Sequence, residues 1–244
     1  MCSGSMLRAI SLSAGVLTVA STITAANAAD LPYRKADPVP YNSTDWTGIY
    51  AGVSAGAIWA NDTWTSDETV AVSTRPGLMH ITGWSVGGIL GASIQHGRTV
   101  LGAELDINRL CGCATVVGPG WVPGTLESGS TSLKWSGHAR ARFGYAFGNW
   151  LPFVAAGVAI MNTQEDFATT LAGVPASSQS INRIGMTVGA GIDWMATPNL
   201  VMRLEYLYDN YGSVTISGSP TFFDMETFKS DTHTARVAAI WKFN

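Results

Sequence analysis

The feature that most constrains the fold is an alternation of period two that recurs along the chain from Trp46 onward. In each of eight segments every second residue is apolar, and the residues between are glycine, small or polar. In the first segment, for example, Ile49 and Ala51 are on the apolar face and Gly52 is on the other. A two-residue period is typical of β-strands, because successive side chains of a strand point to opposite faces. The sequence therefore predicts an all-β protein with eight strands.

Alternation alone does not identify the inner face, because a soluble barrel with an apolar cavity has the same period. Two observations favour a membrane. Only 13% of the residues are charged, where about 25% is usual in soluble domains. No charge falls on the apolar face of any segment, where one at mid-bilayer would cost about 2 to 4 kcal/mol. A helical membrane protein is not expected, because no internal apolar run reaches about 18 residues.

The connections between segments alternate in length. Short turns at 95–99, 147–150 and 195–199 alternate with long polar segments at 61–79, 109–131, 162–181 and 211–231, which are expected to be loops. This alternation is typical of barrels with short periplasmic turns and long outer loops. The sequence thus predicts an eight-stranded antiparallel up-and-down transmembrane β-barrel.

Aromatic residues on the predicted apolar face lie mostly near the strand ends. Those toward the long segments are Trp59, Trp84, Trp135, Tyr206 and Tyr208, and those toward the turns are Trp46, Tyr145, Trp194, Trp241 and Phe243. Aromatic side chains are enriched at both membrane interfaces. We therefore expect these ten residues to form two girdles around the barrel.

The N-terminal segment has the pattern of an export signal. Arg8 is the only charge before an apolar run that extends to about Ala26, and the small residues Ala26 and Ala28 fit cleavage before Ala29. The next segment carries three prolines and no periodicity, which is typical of a linker. The predicted organisation is a cleaved signal peptide at 1–28, a periplasmic proline-bearing linker at 29–45 and a barrel at 46–244.

Charges of both signs occupy the predicted inner face. The acids are Glu104, Asp106, Asp193, Glu205 and Asp209, and the bases are Lys134, Arg140, Arg142, Arg183, Arg203, Arg236 and Lys242. Because unpaired charges in a narrow lumen would be costly, we expect an ion-pair network that fills the barrel. The alternative is a narrow water path with a weak preference for anions, since seven bases face five acids.

Enzymatic functions find little support in the residues. Ser136 and His138 form the nearest approach to a serine and histidine pair, but both are expected to point inward beside cations. Cys111 and Cys113 are expected to have no catalytic role, and their oxidation state stays open. No phosphate-binding glycine loop, metal-ligand cluster or nucleic-acid surface is found in the sequence. We therefore expect no catalytic activity, cofactor, metal or nucleic-acid partner.

Several motifs together resemble a known family. "DWTGIYAGVSAG", "RARFGYAFGNWLPFVAAGVA", "RLEYLYDNYG" and the closing "ARVAAIWKF" are similar to the small outer-membrane β-barrel proteins of Gram-negative bacteria, of the porin-family or outer-membrane immunogenic type. The resemblance implies an outer-membrane location and roles in envelope integrity, surface antigenicity or sometimes diffusion. It also implies recognition of the last strand by the barrel-assembly machinery, although the terminal aromatic, Phe243, is here followed by Asn244.

We therefore expect a structural and surface-interaction role in the cell envelope. The alternatives are a small-solute porin with a narrow charged lumen and a protein whose loops bind a ligand or host molecule. The expected partners are outer-membrane lipid and lipopolysaccharide. The sequence gives no indication of the oligomeric state.

Overall fold

A computed structural model describes residues 44–66, 77–119, 124–170, 172, 176–219 and 222–243. All of these residues belong to one compact unit, Ser43–Asn244. The predicted signal peptide and all but two residues of the predicted linker lie outside the described residues, so both stay predictions. Among the described residues, no helix has the length and apolar character needed to cross a membrane.

Eight antiparallel strands close into a barrel, as predicted. The strands are β1 (Gly48–Ser66), β2 (Gly77–His96), β3 (Thr99–Pro119), β4 (Leu126–Tyr145), β5 (Trp150–Thr169), β6 (Ser177–Met195), β7 (Leu200–Ser219) and β8 (Phe222–Phe243). Each strand pairs with the next, and β8 pairs with β1. Closure leaves every strand with two neighbours, which a bilayer requires because it offers no water to unpaired backbone groups.

Three short connections lie at one end of the barrel, which we call the turn end; the opposite end is the loop end. In two of the connections a glycine has a positive φ, 61° at Gly97 and 62° at Gly148. This left-handed conformation is open to glycine and disfavoured for most other residues, so it fits the tight reversal of the chain. Strand β1 also begins at the turn end, at Gly48, and β8 ends there, at Phe243.

The strands are longer than the sequence predicted. They contain 19 to 22 residues each, and they take in most of the described part of the polar segments that were expected to be loops. The prediction of long irregular loops beginning at residues 61, 109, 162 and 211 is therefore wrong. A strand requires paired backbone groups and does not require apolar side chains. Polar residues on both faces therefore indicated that this part of the sheet lies in water, and not that the sheet had ended.

One strand pair separates early. The ladder between β6 and β7 runs only from Met186 paired with Asn210 to Met195 paired with Val201. Toward the loop end, β6 continues to pair with β5 and β7 continues to pair with β8. Gly212 has a φ of 64° at an irregularity in β7, where the strand turns away from β6. In the described strands, the edges of β6 and β7 that face each other beyond this point are not joined by a ladder.

The interior of the barrel is arranged in layers. Nearest the turns, an apolar group that we call the turn-end cluster contains Trp46, Tyr50, Ile89, Val100, Ala146, Leu151, Met195, Val201, Ala238 and Ile240. Toward the loops, a second group, the loop-end cluster, contains Ile58, Ala60, Ile81, Leu110, Leu133, Ala159, Met161 and Tyr211. Charged side chains fill the space between them. The outer face is apolar and exposed, up to 75% at Met186, which fits contact with lipid.

Candidate functional site

The most distinctive site is a layer of charged side chains across the middle of the lumen. We define this central charge layer as Glu104, Asp106, His138, Arg140, Arg142, Asp193, Arg203, Glu205, Asp209 and Arg236, all of them buried. They come from β3, β4, β6, β7 and β8, because the period-two alternation points these positions inward. Nine of the twelve charges that the sequence placed in the lumen lie here.

Arg140 lies at the centre of this layer. Its Nη2 donates to Glu104 and, over 2.9 Å, to Asp106 Oδ2, and its Nη1 donates to Glu205 Oε1 over 2.7 Å. Three carboxylates from two other strands thus meet one guanidinium group. Removing a buried charge from water costs several kcal/mol unless its partners compensate, so this geometry makes each member depend on the others.

A second set of contacts lies toward the turn end. Arg203 donates through Nε to Asp193 Oδ1 over 2.7 Å and through Nη1 to Glu104 Oε2 over 2.6 Å. Arg142 donates through Nη2 to Asp193 Oδ2 over 2.8 Å and through Nη1 to the Tyr50 hydroxyl over 2.9 Å. The planar guanidinium groups reach carboxylates on different strands at once, which a lysine could not do in the same way.

A third set of contacts lies toward the loop end and includes the one histidine of the layer. His138 Nδ1 lies 2.7 Å from Asp106 Oδ1, and Nε2 lies 3.3 Å from Asp209 Oδ2. Arg236 donates to Glu205 Oε2 over 2.8 Å and to Asp106 Oδ2 over 3.1 Å. The layer contains five carboxylates and four guanidinium groups, so a protonated His138 would bring its net charge to zero.

Three predicted lumen residues lie elsewhere. Lys134 is the extra residue of a bulge between Leu133 and Trp135, so it leaves the inner face, and its predicted place in the lumen is wrong. Arg183 points inward but lies nearer the loop end, with Nη2 at 3.6 Å from Glu165 Oε1. A bulge shifts the strand by one residue, and a sequence without a glycine at that point gives no signal for it.

Lys242 lies at the turn end, away from the central charge layer. Its Nζ donates to the backbone oxygen of Asp45. The Asp45 carboxylate accepts a hydrogen bond of 2.8 Å from the backbone N–H of Thr47, which lowers the pKa of Asp45 from its usual 3.8. Lys242 is therefore part of the turn-end surface of the lumen and not of the network beneath it.

Two buried acids were missed because they fell in the segments expected to be loops. Asp62 on β1 and Glu165 on β5 both point inward above the loop-end cluster. Glu165 accepts a hydrogen bond of 2.5 Å from the Thr131 hydroxyl. Had the period of two been followed past Ile58, Asp62 would have been assigned to the inner face, since the two residues have the same parity.

Nine of the ten predicted girdle aromatics have the parity of the outer face; seven of them are exposed, and Trp135 and Tyr208 are half-buried. Trp150 joins them beside Trp194, at 6.0 Å between ring centroids. Trp46 is the exception and its predicted place is wrong. It is only 4% exposed and belongs to the turn-end cluster. Its position has the same parity as Tyr50 and Ser54, which face the lumen, so the sequence already contained the signal.

Within the part of the chain that the structure describes, no group of three or more His, Cys, Asp or Glu residues is arranged to hold a metal ion. Cys111 and Cys113 lie on β3, Cys111 exposed and Cys113 partly so.

Comparison with known proteins gives consistent results. The family model described as "Outer membrane protein beta-barrel domain" matches residues 15–243. A 25 kDa outer-membrane immunogenic protein of Brucella abortus biovar 1 (strain 9-941) is 27% identical over 237 residues, which cover 95% of this chain and 96% of the relative. A 22 kDa outer membrane protein of Rhizobium leguminosarum bv. viciae is 31% identical over 170 residues, covering 69% of this chain and 65% of the relative.

Among solved structures, the crystal structure of Neisserial surface protein A is similar to this chain, with 17% sequence identity and a TM-score of 0.46. The match covers 81% of this chain and 98% of that protein.

Proposed function

Since the chain belongs to the outer membrane protein β-barrel family and lies in the outer membrane, we propose that it is a closed, non-conducting barrel with a structural and surface-interaction role in the envelope. In this proposal the protein is exported after removal of residues 1–28, and residues 29–45 form a periplasmic linker. The turn end faces the periplasm and the loop end faces outward, as in barrels with short periplasmic turns.

The observation that carries this proposal is the central charge layer. Its hydrogen bonds join side chains from opposite sides of the barrel, for example Arg140 of β4 with Glu205 of β7. Apolar clusters lie on both sides of the layer along the lumen. An eight-stranded barrel has an interior just wide enough for side chains, so a layer of this kind leaves ions no hydrated route.

The outward surface near the loop end supports an interaction with the polar part of the outer leaflet. On β5 and β6, polar side chains form a ladder in which Asn162 donates to Asn182 over 2.7 Å and Gln164 donates to Ser178 over 3.0 Å. These residues lie at and beyond the level of Trp135, which pairs with Asn162. We propose lipopolysaccharide as the partner of this ladder, because sugar hydroxyls and amide groups exchange hydrogen bonds readily.

We also propose that the protein is not an enzyme. The relatives named above are outer-membrane and immunogenic proteins. His138 has both ring nitrogens beside carboxylates, so neither is available to accept a proton from Ser136. The imidazole is also buried between the two apolar clusters, away from any substrate in lipid or water.

Ion conductance across a planar lipid bilayer tests the closed-barrel proposal. The refolded wild type, with insertion confirmed by heat-modifiable migration, is expected to give no steady channels. Arg140→Ala combined with Arg142→Ala removes two guanidinium groups and is expected to give conducting events. Arg109→Ala, which changes an exposed arginine of β3, is the matched control and should stay silent. Steady wild-type channels would contradict the proposal and favour a small-solute porin.

A further inference from the structure

A second ladder, between β2 and β3, also ends early toward the loop end. Its last pair in that direction is Gly83 with Gly112. Beyond this pair, β2 continues to pair with β1 as far as Gly77, and β3 continues to pair with β4 as far as Pro119. In the described strands, residues 114–117 of β3 therefore have a ladder on one edge only. We call residues 114–117 the β3 tip edge.

The backbone of the β3 tip edge has hydrogen-bonding groups that β4 does not use. In an antiparallel pair, the N–H and C=O groups of alternate residues point toward the partner strand, and those of the residues between point to the opposite side. The groups that point away from β4 repeat every two residues, about 6.8 Å apart. Another polypeptide in extended conformation presents the complementary row of donors and acceptors, whereas a lipid or a sugar does not. The backbone of this edge therefore selects a β-strand as its partner.

The side chains of the β3 tip edge are uncharged, and apolar side chains are exposed on both of its faces. Val116 is 43% exposed and Val117 is 61% exposed, because the β4 residues opposite them are the small Gly129 and Ser128. Natural sheets usually protect an exposed edge with lysine, proline or a charge, and none of these occurs within 114–117. A strand with apolar or β-branched side chains would find contacts beside both valines.

The edges of β2 and β6 that lack a ladder at this end have different side chains. On β6, residues 177–180 are Ser, Ser, Gln and Ser, all of them exposed. On β2, Ile81 is buried, and its neighbours His80 and Thr82 are exposed and polar. An apolar strand would find little contact on either edge. The β3 tip edge combines backbone groups without a ladder partner and exposed apolar side chains.

The β3 tip edge is held in place by its neighbours within the barrel. Ala114 packs against the loop-end cluster, and the Thr115 hydroxyl donates to the Ser130 hydroxyl over 3.1 Å. Strand β4 is in turn paired with β5 along this part of its length. The extended conformation that a further strand requires is therefore already present in the isolated protein.

We propose that the β3 tip edge binds an extended segment of another protein by β-strand addition. The segment forms backbone hydrogen bonds to residues 114–117 and places apolar side chains beside Val116 and Val117. It adds one strand to the part of the wall that consists of β3, β4, β5 and β6. This proposal rests on the outward orientation of the loop end proposed above, and it gives the surface-interaction role a class of partner.

Amide hydrogen exchange, measured by NMR on the refolded barrel in non-ionic micelles, tests strand addition. The probe is a short peptide of alternating threonine and valine with a lysine at each end to keep it soluble. The control peptide has the same side chains, but N-methyl groups on all residues between the lysines remove the backbone donors from both of its edges. It thus controls for apolar binding to the micelle.

A protein variant tests the contribution of the valines. Val116→Thr combined with Val117→Thr keeps β-branched side chains and removes much of the apolar contact. The matched control is Leu126→Thr, which changes an exposed apolar residue at the same end of β4, a strand that is paired on both edges. Heat-modifiable migration confirms that each variant is folded.

The peptide is expected to slow exchange of the tip-edge amides that point away from β4 by about tenfold or more at saturation, and to leave residues 177–180 unchanged. The methylated peptide should give no protection. The double variant should bind about tenfold more weakly, and Leu126→Thr should bind like the wild type. The proposal would be overturned by absence of protection at 114–117, by equal protection from the methylated peptide, or by wild-type affinity in the folded double variant. Slow exchange of these amides in the free protein would overturn it too, because the edge would then already be covered.

The orientation of the barrel is measured separately. An epitope tag inserted after Gly124, which is exposed in the turn between β3 and β4, is expected to be labelled by antibody on intact cells. Strand addition in micelles without labelling of cells would contradict the outward orientation, and with it a partner outside the cell. Labelling of cells without strand addition would support the outward orientation and overturn the β3 tip edge as a binding site.

Discussion

Arg203 and Glu104 are 99 residues apart in the chain, and they are joined across the lumen by a hydrogen bond of 2.6 Å from Nη1 to Oε2. Arg203 also holds Asp193 on the adjacent strand, and Glu104 also receives Arg140. This pair therefore joins the two halves of the central charge layer. Its effect on stability is not that of an isolated surface ion pair, because neither side chain has water to replace a lost partner.

Removing one partner of this pair should strongly destabilise the barrel. Glu104→Gln and Arg203→Gln are each expected to lower the free energy of unfolding by about 3 to 5 kcal/mol, because each leaves a buried charge without compensation. Urea unfolding in micelles, followed by tryptophan fluorescence, measures the change. The double variant should lose less than the sum of the two single losses, and additive losses would contradict direct coupling.

The outward orientation of alternate β5 side chains predicts different folding yields for two arginine substitutions on the outer surface. Ala156→Arg places a charge on the exposed apolar band and should cost about 2 to 4 kcal/mol near mid-bilayer. Gln164→Arg, eight residues further along the same face, lies in the polar ladder and is the matched control. Folding yield into bilayers measures the difference. Equal yields for the two variants would show that the assigned membrane band is wrong.

A glycine of β5 should be far less replaceable than one of β2. A Cβ at Gly157 would lie 2.0 Å from the backbone oxygen of Ala139, whereas a Cβ at Gly88 would meet nothing closer than 3.9 Å. Gly157→Ala must therefore separate β4 from β5, and we expect a loss of about 1 to 3 kcal/mol, typical of overpacking. Gly88→Ala should unfold like the wild type in urea. The prediction fails if the two variants have the same unfolding midpoint.

The early separation of β6 and β7 predicts a local difference in amide hydrogen exchange. In β6, the amides of residues 177–185 that point toward β7 have no ladder partner in the described strands, whereas the region from Met186 to Met195 is paired on both sides. We expect every second amide of residues 177–185 to exchange rapidly and those of Met186–Met195 to be protected. Exchange measured by NMR in micelles tests this, and uniform protection along β6 would argue that the gap closes in solution.

The sequence predicted the strand count from the period of two. The low charge and the uncharged apolar face then indicated which side of each strand faces inward, and a bilayer requires the sheet to close because it offers no partner to a strand edge. The prediction failed where a bulge shifted the period, and where the period was not followed into the polar segments. The bulge at Lys134 inserts one residue and moves it off the inner face. Trp46 kept the inner parity, but its aromatic character suggested the girdle, and its burial depends on the turn-end cluster around it.

The network itself could be predicted only as a set of residues. Which guanidinium meets which carboxylate depends on the register and tilt of strands that lie far apart in the chain, as Arg140 and Glu205 do. The inner apolar clusters were not predicted, because residues such as Ile58 and Met161 interrupt an inner face that otherwise consists of small and polar residues. Their role depends on the width of the closed barrel, which no local pattern encodes.

The length of the strands has a consequence for a molecule that approaches the loop end of the barrel. Twenty residues at about 3.4 Å each, tilted by about 40°, give a wall roughly 50 Å tall, while the apolar band of such barrels is about 25 Å. Much of the outer part is therefore paired sheet. A molecule that binds this wall meets side chains already fixed in position, so binding orders little of the protein and costs little conformational entropy.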